Sequence, residues 1–550
     1  MDFQKQSTTW NWNTRFTTAS TDSGGWQWQL QENANSNLLI QSGGQKKWKD
    51  ENRLTGYFYR AYLPFTLGLY TKSWLQNDRQ VSGNNQVANH AAGLFSRFNK
   101  KRGQVSVYAG YQQSQNRNRV DWGWDVGLQA GVSDLRFSDY KARLNWESNY
   151  DFYAQRQNYE NSFLGGVFSK FSQFSGDSLR FTFSEMSKQY YVGDSIEQVK
   201  MYNRNWQNIL YYNLSQRDLF RVRTRIESKD ITYFNGRNVF LFENYLQYLH
   251  LGTRFSYTLN LRTSDQTLDN AGLETDSRAR QTTLSGDFNY NFQPDRNIQL
   301  RLSYVKLQYD TPDSVVNNDD RDEQRYLISL IYRHRLSPLL LMEWEAYTYL
   351  FHQMYIFRQQ SANNNWNRVY KISPRFVYQY GRVTNRIKTE VLANYTVYDF
   401  DELLNQARSF VFRKYTFSDS LRIRVFGENS VGGFARLELE DKGTFFQKEF
   451  AQQVLQSYRS EFYNIFISNA GFIHFKINFG YNIYKRREWR HVPRKRLARD
   501  IVNQGPYFSV KYLDTRRLIL SASVSLSNLK DSAGQTTTYS TGYIRLQYRI

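Results

Sequence analysis

The chain has no cysteine among its 550 residues. That excludes a disulfide framework, thiol catalysis and cysteine-ligated metal. Proline is scarce, at 7. Long apolar runs are missing too. The longest pure aliphatic stretch is Leu339-Leu340-Leu341-Met342, whereas a membrane-spanning helix needs about 20 apolar residues. Met1-Asp2-Phe3-Gln4-Lys5 shows no basic segment leading into an apolar one, so the sequence as read carries no signal peptide. The six histidines, at positions 90, 250, 334, 352, 474 and 491, stand apart with no metal-ligand spacing. Neither a Gly-x-Ser-x-Gly elbow nor a phosphate-cradling glycine loop occurs. The expectation is no enzyme, no cofactor and no metal.

Aromatic residues are abundant, with 42 Tyr, 39 Phe and 13 Trp making up 17% of the chain. Disordered chains lack such residues, so disorder is excluded. Mean hydropathy is nonetheless low, at −0.72. The charge balance is 72 basic against 50 acidic residues, a net +22. A surplus of this size first suggests nucleic acid. Here, however, arginine and lysine are spread along the whole length, usually at alternate positions, and form no single basic domain. Nucleic acid is not expected as a partner.

Alternation with a period of two recurs almost everywhere and predicts strands with one apolar and one polar face. Leu518, Leu520, Ala522, Val524 and Leu526 alternate with Ser521, Ser523, Ser525 and Ser527. Phe255, Tyr257, Leu259 and Leu261 alternate with Ser256, Thr258, Asn260 and Arg262. Short turns are expected near 99–104, 135–138, 175–178, 215–218, 293–297, 336–338, 380–384, 417–420, 468–471 and 513–516. Longer polar loops are expected at 77–86, 263–277, 310–322, 353–367, 399–406 and 528–537, with larger insertions at 443–459 and 486–505. Short turns recur every 35–50 residues or so, room for two strands of about 12–15 residues and a loop. The count comes to about 26 strands, with an error of two either way.

A soluble propeller or solenoid would show shorter strands, more Gly/Pro turns and a fixed repeat. Short turns alternating with long loops on long strands describe a transmembrane barrel: apolar outside, polar inside and closed, so that no edge is left for lipid to solvate. Aromatics near strand ends (Tyr304, Tyr309, Tyr347, Tyr349, Phe351, Tyr395, Tyr398) would form its interfacial girdles. In this pattern the chain resembles the large outer-membrane β-barrels of Gram-negative bacteria over nearly its whole length. Gly542, Leu546, Tyr548 and Ile550 are similar to the terminal signal of such barrels, with Ile550 standing where they carry an aromatic residue. The resemblance implies an all-β, single-domain barrel over 1–550 in the outer membrane. By size and composition it is of the porin or conduit-sheath type. It matches TonB-dependent transporters in size, yet Asp2–Trp10 leads straight into a strand where their plug domain would stand.

Two basic features are the candidate sites. The inward strand faces should carry Arg221, Arg223, Arg225, Arg254, Arg262, Arg333, Arg335, Arg386 and Lys388, with Arg325 beside them. Guanidinium groups in a confined channel concentrate anions and repel cations. Alternatively, they pair with Glu227, Glu343, Glu345, Glu390 and Asp287 across the wall; both can hold together. The second feature is an external loop holding Lys485, Arg486, Arg487, Arg490, Arg494, Lys495, Arg496 and Arg499 against the single acid Glu488. Such a loop suits lipopolysaccharide phosphates or an acidic partner.

Two further segments draw notice. Phe446, Phe450, Val454 and Tyr458 recur every four residues and suggest a short helix in the lumen or on the rim. The carboxylates Asp310, Asp313, Asp319, Asp320, Asp322 and Glu323 crowd one loop, but without the spacing of a calcium loop.

The functional expectation is an outer-membrane pore or conduit passing solutes, anionic ones above all. A barrel of some 26 strands would be on the order of 50 Å across, so a protein partner filling or capping the lumen is expected. The alternative is a sheath that holds a secretion component or a multihaem cytochrome across the membrane. The final strand should run toward the periplasm, which puts the long loops outside.

Overall fold

In the computed structural model, the described residues are 2–6, 9–20, 25–40, 45–62, 64–80, 83–116, 119–172, 175–192, 195–233, 236–271, 275–312, 319–403, 408–427, 429–472, 474–513, 518–532 and 534–548. They form a single 28-stranded antiparallel sheet. Each strand pairs with its neighbours in the chain. Asp2–Gln6 pairs both with Thr9–Ala19 and with the last strand, Asp2 opposite Arg545 and Gln6 opposite Thr541. That double pairing closes the sheet into a barrel and leaves no open edge. Of the terminal residues, Ile550 lies outside the described set.

The strands are longer than the sequence rhythm suggests, and the loops correspondingly shorter. Ala451–Phe472 is a 22-residue strand. Ser195–Asn213 has 19 residues. About 9–11 tilted residues suffice to cross a bilayer, so these strands project beyond the membrane. The expected loop 263–277 contracts to 271–276, 310–322 to 311–320, and 353–367 to 356–364 around a short 3-10 turn at Ser361–Asn363. The expected insertion 486–505 is two strands joined at 491–495, and 443–459 is two strands joined at 447–450. No helix forms between Phe445 and Tyr458; Val454 and Tyr458 lie on the strand Ala451–Phe472.

Short turns stand where expected at 101–102, 138–139, 214–217, 294–295, 338–339 and 381–382. Three do not. The expected turn 175–178 falls mostly within the strand Gly176–Val192, and 417–420 and 468–471 fall inside the strands Phe410–Phe426 and Ala451–Phe472, whose chain reverses instead between Phe426 and Asn429 and between Phe472 and Phe475. Of the expected turn 513–516, residues 514–516 lie outside the described residues. Gly381 and Gly427 open two of these reversals with φ of +52° and +53°, the left-handed region that glycine enters without steric cost.

One sheet face carries exposed apolar side chains: Leu94 is 66% exposed and Ile465 70% exposed, with Leu69, Val107, Val126, Leu284, Ile372, Val391 and Val524 also exposed. The other face crowds polar groups together. On it Tyr70 is 3% exposed and Asp125 6%, and the Tyr70 hydroxyl donates to Asp125 Oδ2 at 3.0 Å. A closed wall spreads side chains on its convex side and crowds them on its concave side. The polar face is therefore the lumen and the apolar face the lipid belt.

Aromatic pairs flank the belt. Toward the short-turn end lie Phe65–Phe98, Phe255–Tyr290 and Phe475–Tyr512, with ring centroids 5.0, 6.3 and 4.8 Å apart. Toward the other end lie Tyr111–Trp122 and Tyr304–Tyr326, at 5.7 and 4.9 Å. Of the girdle residues expected from sequence, Tyr304 and Tyr395 share the outward face. Tyr309, Tyr347 and Phe351 instead face the lumen beneath cations, with Arg321, Lys371 and Arg325 placed 4.5, 5.4 and 5.2 Å from their rings. Tyr398 lies under Arg408 at 4.2 Å.

Candidate functional site

The lumen wall arranges its charges in groups set by strand register. Asp218–Thr232 and Arg237–Leu251 pair so that Arg225 lies opposite Glu243 and Arg223 opposite Tyr245. Tyr245 in turn lies opposite Arg262 on the next strand. Glu243, 4% exposed, thereby sits between two bases. It accepts from Arg223 Nη2 at 2.9 Å and from Arg262 Nε at 2.8 Å. Arg225 pairs with Glu227.

The same pattern recurs further round the wall. Glu343 receives Arg333 at 2.6 Å and Arg375 at 3.1 Å. Glu323, also buried, receives Arg321 at 3.0 Å and Arg325 at 2.5 Å. Lys388 lies 3.2 Å from Glu390. A carboxylate between two guanidiniums leaves a net positive charge at each group, so local pairing and a cationic lumen coexist. Two neighbouring bases per acid also keep a buried carboxylate compensated, where a lone one would be costly.

The remaining sequence candidates behave differently. Arg221, Arg335 and Arg386 share the lumen face near the short-turn end, all exposed, and none has a carboxylate partner among the described residues. Arg254 is not a wall residue. It lies in the turn 252–254, where its carbonyl accepts from the Asn291 N–H at 2.7 Å. Strand alternation carried one residue too far past Phe255 is what placed it on the wall.

Sequence reading missed the cluster to which Arg386 belongs. Around the turns 381–382 and 427–428, Arg382, Arg386, Arg422 and Arg424 line a recess of about 610 Å³ with Gln379, Thr384, Ser420, Ser430 and Phe466. Arg386 lies opposite Ser420, Thr384 opposite Arg422, and Arg424 opposite Ser430. Arg422 Nε donates to Ser430 Oγ at 2.7 Å and Nη2 to Ser468 Oγ at 3.2 Å. Arg382 donates to the Val425 carbonyl at 3.1 Å. Among the described residues none of the four arginines meets a carboxylate. Arg422 and Arg424 were hidden because the expected turn at 417–420 cut their strand short, and Arg382 lies in the turn 381–382 itself.

The basic segment 485–499 is mostly strand. Only Arg494 and Lys495 fall in the connection 491–495, with Lys495 5.8 Å from the Trp489 ring. Alternation then splits the others between the two faces. Arg486, Arg490, Arg496 and Arg499 follow the lumen parity. Arg486 reaches Glu488 at 3.0 Å, and Arg499 lies opposite Glu488. Lys485 and Arg487 follow the outward parity, above the lipid belt, with Arg487 3.3 Å from Asp500.

The acidic run near 310–323 is consumed internally. Asp320 Oδ1 accepts from the Thr311 N–H at 2.7 Å, and Asp319 pairs with Arg321 at 2.5 Å. Asp313 lies outside the described residues. No cluster of His, Asp and Glu that could hold a metal occurs among the described residues.

No family model matches the sequence, and no curated protein matches it. Solved structures similar in form include the siderophore receptor PirA from Pseudomonas aeruginosa, at 8% identity over 83% of this chain and 86% of that one, with a TM-score of 0.39. The FrpB iron transporter from Neisseria meningitidis matches at 9% identity over 81% and 82%, with a TM-score of 0.40. The copper transporter OprC matches at 9% identity over 91% and 85%, with a TM-score of 0.36. The likeness is one of barrel form. The closed ring, apolar belt, paired girdles and polar lumen are the architecture of an outer-membrane β-barrel.

Proposed function

We propose that this chain is an outer-membrane conduit for anionic solutes. The observation that carries the reading is the charge arrangement of the lumen: two bases around each of Glu243, Glu343 and Glu323, and arginines at the short-turn mouth that meet no carboxylate among the described residues. Fixed positive charge in a confined aqueous path raises local anion concentration and lowers that of cations. With the final strand running toward the periplasm, the arginine-rich mouth is the periplasmic one. Lys485 and Arg487, outward and above the belt, would meet lipopolysaccharide phosphates.

The test is a reversal potential across a planar bilayer under a KCl gradient. A chloride-selective potential that weakens as salt screens the wall supports the reading. Cation selectivity overturns it.

A second reading draws on width. A closed ring of 28 strands is too wide for its own inward side chains to fill, since barrels of 16–18 strands already leave a channel. A partner polypeptide held in the lumen, with this chain as its sheath, suits that width. An acidic partner would complement the wall.

A further inference from the structure

We infer that the recess at the short-turn mouth is a binding site for one phosphoryl oxyanion, the phosphate group of a small solute. This deepens the anion-conduit reading and rests on it for which face is the lumen. The reason to single out this recess is its lack of counter-charge. Elsewhere on the wall the clustered bases share an acid, as those around Glu243, Glu343 and Glu323 do. Here four arginines converge with no carboxylate within reach among the described residues. The one nearby acid that is described, Asp419, follows the other face of its strand and accepts from Asn385 at 2.8 Å.

The recess is built rather than incidental. Two glycine-opened turns bring Arg382 and Arg424 to one rim. Gly432 has no side chain, so the Phe466 ring packs close against it and lines the recess; a Cβ at Gly432 would come within 2.6 Å of that ring and of the Leu421 carbonyl. Ser430 and Ser468 hold Arg422 by Nε and one Nη2 hydrogen and leave the rest of its fork toward the cavity.

The ligand class follows from charge and shape. A single carboxylate would leave most of the four positive charges unanswered, whereas a phosphate dianion offers several acceptor oxygens to guanidinium forks. Ser420 and Thr384 hydroxyls can serve its remaining oxygens or ester group. At about 610 Å³ the recess exceeds what inorganic phosphate fills, so a phosphorylated small molecule suits it better than the bare ion.

The experiment is equilibrium dialysis of the purified full-length barrel in detergent, at low ionic strength, against labelled inorganic phosphate and glucose 6-phosphate. One saturable site is expected, tighter for glucose 6-phosphate, with glucose not competing. Arg422→Gln or Arg424→Gln should weaken it about tenfold each, the loss of one charge-assisted contact. Arg225→Gln, elsewhere on the wall, should leave it unchanged, and all three variants should keep the wild-type melting temperature.

Citrate displacing glucose 6-phosphate as well as unlabelled ester does overturns the phosphoryl assignment. So does wild-type protein that binds no phosphate. Chloride-selective conductance without phosphate binding removes this site alone. Phosphate binding with cation-selective conductance removes the conduit reading alone.

Discussion

Asp401 shows how single side chains fix the rim opposite the recess. It stands in the short 3-10 turn Asp401–Leu403, and its two oxygens accept the Arg408 and Ser409 N–H groups at 2.7 and 2.8 Å. Arg408 then reaches across to the Ala362 carbonyl at 2.9 Å and Asn363 Oδ1 at 3.1 Å, tying two rim connections together. Partial burial works against the charged carboxylate, but the N–H donors of Arg408 and Ser409 outweigh it and hold the group below its ordinary value of 3.8. A depressed folded pKa means the carboxylate's contribution is complete above the ordinary value and disappears as pH falls through the folded one. Amide exchange at Arg408 and Ser409, corrected for intrinsic rates, should therefore stay slow from neutral pH down to about 4 and quicken below it. In Asp401→Asn it should be fast throughout. Exchange in wild type that quickens well above pH 4 would show that another group closes the rim.

At the scale of the strand, alternation was legible in the sequence and turn placement was not. Ser418–Asp419–Ser420 and Ser468–Asn469–Ala470–Gly471 have turn-forming composition, yet both lie inside strands. A lumen face tolerates Ser418, Ser420 and Ser468 as readily as a turn does, so pairing to the neighbouring strand decides. The four-residue spacing of Phe446, Phe450, Val454 and Tyr458 misled because it runs across a chain reversal: Phe446 ends one strand, Phe450 stands in the connection 447–450, and Val454 and Tyr458 lie on the next strand with a register shift between them. The charge groups at Glu243 and Glu343 were out of reach of the sequence because they depend on cross-strand register, which places Arg262 beside Glu243 rather than beside any acid near it in the chain; Arg321, Glu323 and Arg325 instead share one strand face. The outward face, by contrast, was fully readable along Leu518–Lys530. Leu520 lies opposite Tyr512 and Val524 opposite Phe508 on the apolar side, while Ser521 and Ser523 follow the lumen parity. Arginine at Leu520 or Val524 should therefore cost roughly 2–4 kcal/mol near the bilayer midplane, and at Ser521 or Ser523 much less. The measurement is the yield of heat-modifiable folded barrel in membranes. Equal yields from both sets would mean that this strand does not face lipid.

For the whole molecule the decisive quantity is width. Twenty-eight strands at about 4.8 Å spacing and about 40° tilt give a backbone cylinder on the order of 55 Å across. Inward side chains narrow such a cylinder without closing it. Among the described residues of the connections, Asp401 and Arg408 are tied to their own rim, and 491–495 is a tight reversal. An open passage of that size would let periplasmic contents escape; on the sheath reading proposed above, an occupant fills it in the working state, and a cationic wall favours an acidic one. The purified chain alone should then give a very large, poorly gated conductance. Adding back an acidic protein that co-purifies from native membranes should reduce it, and high salt should reverse the reduction, since wall charges are screened over about 8 Å at physiological ionic strength and less as salt rises. A small, stable conductance from the isolated barrel would instead mean that the chain seals its own lumen, and the sheath reading would fall.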